Sequence, residues 1–200
     1  MTPDPAAIRA RYERIKAEVG PGVTIVAATK YVSVEDMAAL VEAGIEVVGE
    51  NRLQDLEAKH AAYGAAFRWH FIGHLQSRKA RDVSRICELV HSLDSDSAAA
   101  RLSVPALVQV NLAEEQSKSG VAPEALAGFI AGVPVEVRGL TTMPPLAETA
   151  EVGSGRLGIV RELAQSLGLG ELSMGTSQDY RVAAEEGATY VRIGSVLWHD

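Results

Sequence analysis

A single barrel of eight parallel strands, each followed by a helix, is the fold this sequence predicts, on three observations. Short β-branched runs alternate with longer Ala/Leu/Glu-rich segments from end to end, and strict β-then-α alternation implies a parallel sheet with helical crossovers. The runs number eight, the count of a (β/α)8 TIM barrel, and the chain's 200 residues sit at the short end for that fold. The structural rival is a doubly wound open sheet, which usually announces a glycine-rich turn after its first strand. Here the chain gives Lys30-Tyr31-Val32-Ser33 instead.

A helix over residues 5–19 precedes the first strand, 23–29, an apolar run closed by Thr29-Lys30. The next helix, 34–42, has Ser33 as its cap and Gly44 as its stop. Strand 46–50 leads to helix 52–62, and strand 68–72 to helix 77–87. Strand 89–93 is followed by a short helix, 96–102, and strand 106–110 by helix 123–131. Strand 135–141 precedes the long helix 150–167, whose start Gly153-Ser154-Gly155 is expected to interrupt. Strand 172–174, helix 177–186 with Gly187 as its stop, and strand 190–193 complete the count. No Pro/Ser-rich linker or composition shift divides the chain, so residues 1–200 read as one domain.

Hydrophobic content of 47% and charged content of 22% are ordinary for a globular protein. A net charge of −7 argues against a nucleic-acid or anionic-membrane partner. The basic cluster Arg78, Lys79, Arg81 and Arg85 reads as a solvated helix face. The lone Cys87 excludes an internal disulfide, and Cys/His metal spacing is absent. The first residues read as the approach to a helix, not as a secretory leader, and no apolar run approaches the ~20 residues of a membrane span. A soluble cytoplasmic protein is the expectation.

In a barrel the chemistry lies at the C-terminal ends of the strands. The expected strands deliver Lys30, Asn51, His74, Asp94, Asn111, Thr142, Ser177 and Ser195 to or just beyond that rim. Lys30 is the most telling, because the chain uses five Lys against fourteen Arg. An ammonium ending an apolar strand costs desolvation, and a lysine pushed out of water becomes a nucleophile towards aldehydes. The alternative is a strand-end lysine whose stem snorkels to solvent. After the seventh strand Gly175-Thr176-Ser177 runs into a helix start, and Gly194-Ser195 follows the eighth. Small residues at such turns point backbone N–H groups at an anion, and these two loops are the usual phosphate position of the fold. An aldehyde-reactive lysine facing a phosphate cradle suggests pyridoxal 5′-phosphate.

The same residues carry a family resemblance over nearly the whole chain. Val26-Ala27-Ala28-Thr29-Lys30, Gly49-Glu50-Asn51, Trp69-His70-Phe71-Ile72-Gly73-His74-Leu75-Gln76, Ser117-Lys118-Ser119-Gly120 and Val191-Arg192-Ile193-Gly194 occur in order. With Arg138-Gly139-Leu140 and Leu172-Ser173-Met174-Gly175, they resemble the pyridoxal phosphate homeostasis proteins, relatives of the N-terminal barrel domain of alanine racemase. The resemblance implies that Lys30 carries the cofactor as a Schiff base. It implies that Ser177, Gly194 and Ser195 hold the phosphate and that Arg192 faces the pyridine nitrogen. Asn51 and His70 would line the ring pocket, with Met174 packing nearby. His70 as a satisfied core histidine, Met174 as plain packing and Lys118 as a surface loop lysine are the structural alternatives. Departures from the family pattern are Val32 where a second lysine often stands, and Thr141 and Thr176 where methionines are common. The segments around 94–105 and 145–156 read as shortened, and so does the C-terminus.

Arg192 behind the ring would oppose protonation of the pyridine nitrogen and leave a weak electron sink. The chain ends after the eighth strand, where alanine racemases add the domain that supplies a second acid/base. The expected function is therefore intracellular homeostasis of pyridoxal phosphate by a monomer that passes the cofactor to apo-enzymes, without robust catalysis. A minimal amino-acid racemase is the first alternative. A Schiff-base aldolase is the second, and it lacks an obvious Asp or Glu base matched to Lys30.

Overall fold

A computed structural model describes residues 3–112, 119–143 and 150–198, with no account of the side chains of 150–154. Eight parallel strands close into a barrel in chain order. They are β1 Thr24–Ala28, β2 Val47–Glu50, β3 Arg68–Phe71, β4 Leu89–Leu93, β5 Ala106–Gln109, β6 Val137–Thr141, β7 Glu171–Thr176 and β8 Tyr190–Ile193. Closure is made by β1 against β8, where Thr24 to Ala27 stand opposite Tyr190 to Ile193. The helices are α1 Pro5–Val19, α2 Met37–Ala43, α3 Leu53–Tyr63, α4 Ala80–Ser84 and α5 Asp96–Ala99. They continue with α6 Leu126–Gly132, α7 Ala150–Ser166, α8 Tyr180–Glu185 and α9 Ser195–Trp198.

The expected barrel, with its additional N-terminal helix, is the observed fold, and the differences are local. α4, α5 and α8 are shorter than the expected helices 77–87, 96–102 and 177–186, and none of the three opens with a side-chain cap. The stretch from Ser77 to Lys79 is a 3-10 turn leading into α4. Gly153-Ser154-Gly155 does not interrupt α7, which runs through it. A one-turn helix, α9, follows β8 and begins at Ser195, in the Gly194-Ser195 turn where a helix start was expected. Gly44 stops α2 in the left-handed conformation as expected, whereas Ser33 accepts the Asp36 N–H at 3.1 Å in the turn before α2, which begins only at Met37. α1 is capped by Asp4, which accepts the Ala6 N–H at 2.9 Å ahead of Pro5.

The core lies in two places. Outward side chains such as Ile25, Ala27, Trp69, Phe71 and Met174 join the helices in one apolar cluster. Inward positions carry an uncommon number of polar groups, described below. α1 buries Ile8, Ile15 and Val19 and packs against α2, α8 and α9, each buried aliphatic side chain contributing about 1.5–3 kcal/mol. Glu18 at its end takes hydrogen bonds from Tyr180 and Arg181. The extra helix thereby fixes the two short helices that follow β7 and β8. Between β7 and β8 the register shifts from Ser173 to Thr176. Gly175 sits in that irregularity at φ +91°, and an added Cβ would lie 2.5 Å from Ala183 Cβ. Only glycine fits there, and the kink turns Thr176 and Ser177 toward the barrel mouth.

Among the described residues no helix is long and apolar enough to cross a membrane. The Ser117-Lys118 pair and the connection over 145–149 lie outside the described residues.

A cationic pocket at the C-terminal mouth

A cavity of about 570 Å3 opens at the C-terminal end of the strands, within the usual range for small-molecule sites. Lys30, Asn51, Ser177, Arg192, Gly194 and Ser195 all line it. His70 and Met174 do not. Met174 is fully buried in the cluster between barrel and helices, since its neighbour Ser173 takes the inward position on β7 and adjacent strand residues face opposite ways. His70 is buried inside the barrel, hydrogen-bonded to His91 and Glu88.

Lys30 departs from the sequence expectation in one respect. β1 ends at Ala28, Thr29 is buried, and the chain turns so that Lys30 is exposed, its Nζ 4.6 Å from the Tyr31 ring centroid. It stands at the mouth in water and does not bear the desolvation cost expected of an amine closing an apolar strand. Among the described lysines the buried one is Lys59 of α3, 3% exposed. Its Nζ pairs with the fully buried Glu50 carboxylate and donates to the Thr29 carbonyl at 2.7 Å. Thr29 Oγ1 donates to Glu50 Oε1 at 2.5 Å, and the Asn51 N–H reaches Glu50 Oε2 at 3.3 Å. One buried ion pair thus ties the backbone just before Lys30 to the start of Asn51. Asn51 itself presents Oδ1, a buried acceptor without a partner among the described residues.

Arg192, 6% exposed, forms the inner wall. Its Nη1 donates to Thr141 Oγ1 at 2.6 Å, Ser173 Oγ at 2.8 Å and the Ser173 carbonyl at 3.0 Å, and its Nη2 to the Thr142 carbonyl at 2.7 Å. Burial lowers its pKa to about 10, opposed by the nearby Asp179, which still leaves it cationic at neutral pH. Across the mouth the Gly194 N–H donates to Ser177 Oγ at 3.0 Å. Asp179 Oδ1 takes both the N–H and the hydroxyl of Thr176, at 2.7 and 2.9 Å. The two loops are therefore locked together. α8 and α9 are too short to lend much dipole, so any anion held here rests on loop amides, hydroxyls and Arg192. Two of the three residue departures from the family pattern acquire partners: Thr141 supports Arg192, and Thr176 anchors its loop on Asp179.

Several lining residues escaped the sequence argument. Tyr31, Val32, Ile72 and Trp198 give the cavity its apolar wall. Asp36 also lines it, so a carboxylate does share the cavity with Lys30. No signal of residue type or spacing marks these positions, since they arrive from separate turns. Among the described residues no His/Cys/Asp/Glu group forms a metal site.

Below Arg192 the barrel interior is polar. His91 Nδ1 lies 2.7 Å from Ser173 Oγ, and its Nε2 lies 2.9 Å from His70 Nδ1. Burial, then His70 and Arg192, push the His91 pKa well below the ordinary imidazole value of 6.5. Folding therefore holds His91 neutral, while the unfolded chain takes up a proton once pH falls through 6.5. The stability that His91 contributes is complete above that value and is lost as pH falls below it. Urea midpoints between pH 7 and pH 5 are expected to fall more steeply in the parent protein than in His91→Gln. Parallel slopes in the two proteins would refute this.

Fold and pocket together define a (β/α)8 barrel whose C-terminal mouth gathers an amine, a guanidinium and two amide-bearing loops around one cavity. The profile of the family "Alanine racemase, N-terminal domain" matches residues 4–200. The Pyridoxal phosphate homeostasis protein of Aquifex aeolicus is 37% identical over 196 residues, covering 88% of this chain and 86% of that protein. Its namesake from Pseudomonas aeruginosa is 42% identical over 173 residues, covering 78% and 75%. Among solved structures, PipY of Synechococcus elongatus with PLP bound superposes with a TM-score of 0.87 at 31% identity, over 96% of this chain and all of that one. The chain belongs to the alanine racemase N-terminal domain family and, within it, to the pyridoxal phosphate homeostasis proteins.

Proposed function

We propose that this chain binds pyridoxal 5′-phosphate at its C-terminal mouth, attached through Lys30, and serves intracellular homeostasis of that cofactor without robust turnover of its own. The observation that carries this reading is the convergence of Lys30, Asn51, Ser177, Arg192, Gly194 and Ser195 on one cavity. The residues fit the cofactor. The orphaned Asn51 Oδ1 lacks a donor, and a phenolic hydroxyl is one. The Ser177 and Ser195 hydroxyls with the Gly194 loop would hold the phosphate. Bound pyridoxal phosphate supplies an aldehyde carbon that condenses with an amine and a ring that withdraws electrons strongly only when its nitrogen is protonated. Arg192 can donate but not accept, so a ring nitrogen facing it must accept, and the cation opposes protonation. Lys30 stands at an exposed mouth, where water and competing amines can reach it. Such openness suits release better than chemistry that must exclude water. Apo-enzymes requiring the cofactor are the partners this reading assigns, in the cytoplasm, with the protein acting as a monomer.

Borohydride reduction of the loaded protein, followed by peptide mass mapping, tests the attachment. A pyridoxyl mass is expected on the peptide bearing Lys30. An adduct on another lysine, or none, would overturn the assignment. Asp36 favours a second reading as an amino-acid racemase, because it puts a carboxylate in the cavity. Alanine in deuterated water separates the two: exchange of its α-proton no faster than with free cofactor supports a carrier, and faster exchange supports the racemase.

A further inference from the structure

The polar interior has a direction. Arg192 donates to Ser173 Oγ at 2.8 Å, Ser173 Oγ meets His91 Nδ1 at 2.7 Å, His91 Nε2 meets His70 Nδ1 at 2.9 Å, and His70 Nε2 meets Glu88 Oε1 at 3.0 Å. These residues come from β8, β7, β4, β3 and the turn before β4, so the series crosses the barrel from the pocket to its opposite mouth. At that mouth Glu88 is 42% exposed and paired with Arg68 at 2.6 Å.

The ends of the series are chemically fixed. A guanidinium can only donate, and an ionised carboxylate can only accept. Burial raises the Glu88 pKa, but hydrogen bonds from Arg68 and His70 outweigh it and leave the group below the usual carboxylate range. His70 Nε2 must then carry a hydrogen, its Nδ1 must accept from His91 Nε2, and His91 Nδ1 must accept from the Ser173 hydroxyl. Ser173 Oγ in turn accepts from Arg192. Every donor finds one acceptor with both imidazoles neutral. An extra proton on either ring would leave the Ser173 hydroxyl without an acceptor in the series. It would also place a cation beside Arg68 at His70 or beside Arg192 at His91, with Glu88 the one carboxylate bonded to either ring among the described residues; the two rings are otherwise packed by Tyr190.

We propose that Ser173, His91, His70 and Glu88 form a single directed hydrogen-bond chain that positions the Arg192 guanidinium from the far mouth of the barrel. His70 and His91 are both held as neutral Nε2–H tautomers. The functional half of this proposal rests on the assignment of the cavity to pyridoxal phosphate; the tautomers do not. Neither histidine touches the ligand cavity, so both act through Arg192 as positioning residues.

Two-bond proton–nitrogen NMR of the ligand-free protein at neutral pH reads the tautomers directly. Neutral Nε2–H rings at both positions are expected, and a cationic ring or an Nδ1–H form at either overturns the chain. In Glu88→Gln the terminal acceptor loses its charge, and the dissociation constant for pyridoxal 5′-phosphate is expected to rise about tenfold. Glu88→Asp should recover part of that loss, and Lys30 should still be trapped by borohydride in all three proteins. A dissociation constant for Glu88→Gln within about twofold of the parent refutes the positioning role. Should the parent protein bind no pyridoxal phosphate at all, the cavity assignment fails while the tautomers still decide the chain.

Discussion

Replacing Lys30 by alanine is expected to abolish the borohydride-trapped adduct and to weaken pyridoxal phosphate binding by roughly 100-fold, about 2.7 kcal/mol. The residue is exposed and bonded to nothing that holds the fold together, so the melting temperature should stay unchanged, as for most surface substitutions. The remaining affinity should come from the loops after β7 and β8 and from Arg192, and inorganic phosphate should compete it away. Absorbance titration with and without phosphate measures both effects. Full adduct formation in Lys30→Ala would remove Lys30 from the site.

The largest effect on stability is expected at a lysine that touches no ligand. Lys59→Met leaves the Glu50 carboxylate buried without its counter-ion, and Glu50→Gln leaves the ammonium of Lys59 in the same position. Breaking a buried pair costs about 3–5 kcal/mol, which for a chain of this size lowers the melting temperature by about 10 °C. The double variant Glu50→Leu/Lys59→Met should recover most of that loss, because two apolar side chains leave no unpaired charge. It should not recover cofactor attachment, since the Thr29 carbonyl and the Asn51 N–H lose the groups that fix them. Thermal melts of the three proteins, alongside the rate of imine formation, test both statements. Single variants melting within about 2 °C of the parent would refute the first, and normal imine formation in the double variant the second.

Much of the barrel was legible in the chain because eight β-branched runs, spaced by helices, leave few topologies. Lys30, Asn51, Ser177, Gly194 and Ser195, which line the cavity, were legible because each falls at or just past a strand end, and Arg192, inside β8, only through the family segment Val191-Arg192-Ile193-Gly194. What the pattern could not give was direction. Strands of a closed parallel barrel are buried on both faces, so no alternation of polar and apolar residues marks which side chains point inward. Hence Trp69-His70-Phe71 could be seen to matter without showing that His70 turns away from the mouth and towards His91. The same blindness affected the lysines. Residues 23–30 looked like one apolar run ending in a buried amine, whereas the turn after Ala28 exposes Lys30. Lys59, inside Ala58-Lys59-His60 on a helix, looked like any surface lysine. Its burial depends on Glu50 and Thr29, nine and thirty residues away, and residue type carries no trace of that pairing.

Trp198 gives the protein a consequence of another kind. The chain has two tryptophans. Trp69 lies in the outer layer against Phe67 and His60, its Nε1 bonded to the Gly64 carbonyl at 2.7 Å. Trp198 stands in the wall of the cavity itself. An aromatic chromophore seated there would drain the emission of Trp198 by energy transfer and affect the more distant Trp69 less. The molecule thus carries its own optical gauge of occupancy, and release of its cargo to a colourless acceptor could be followed second by second without a label.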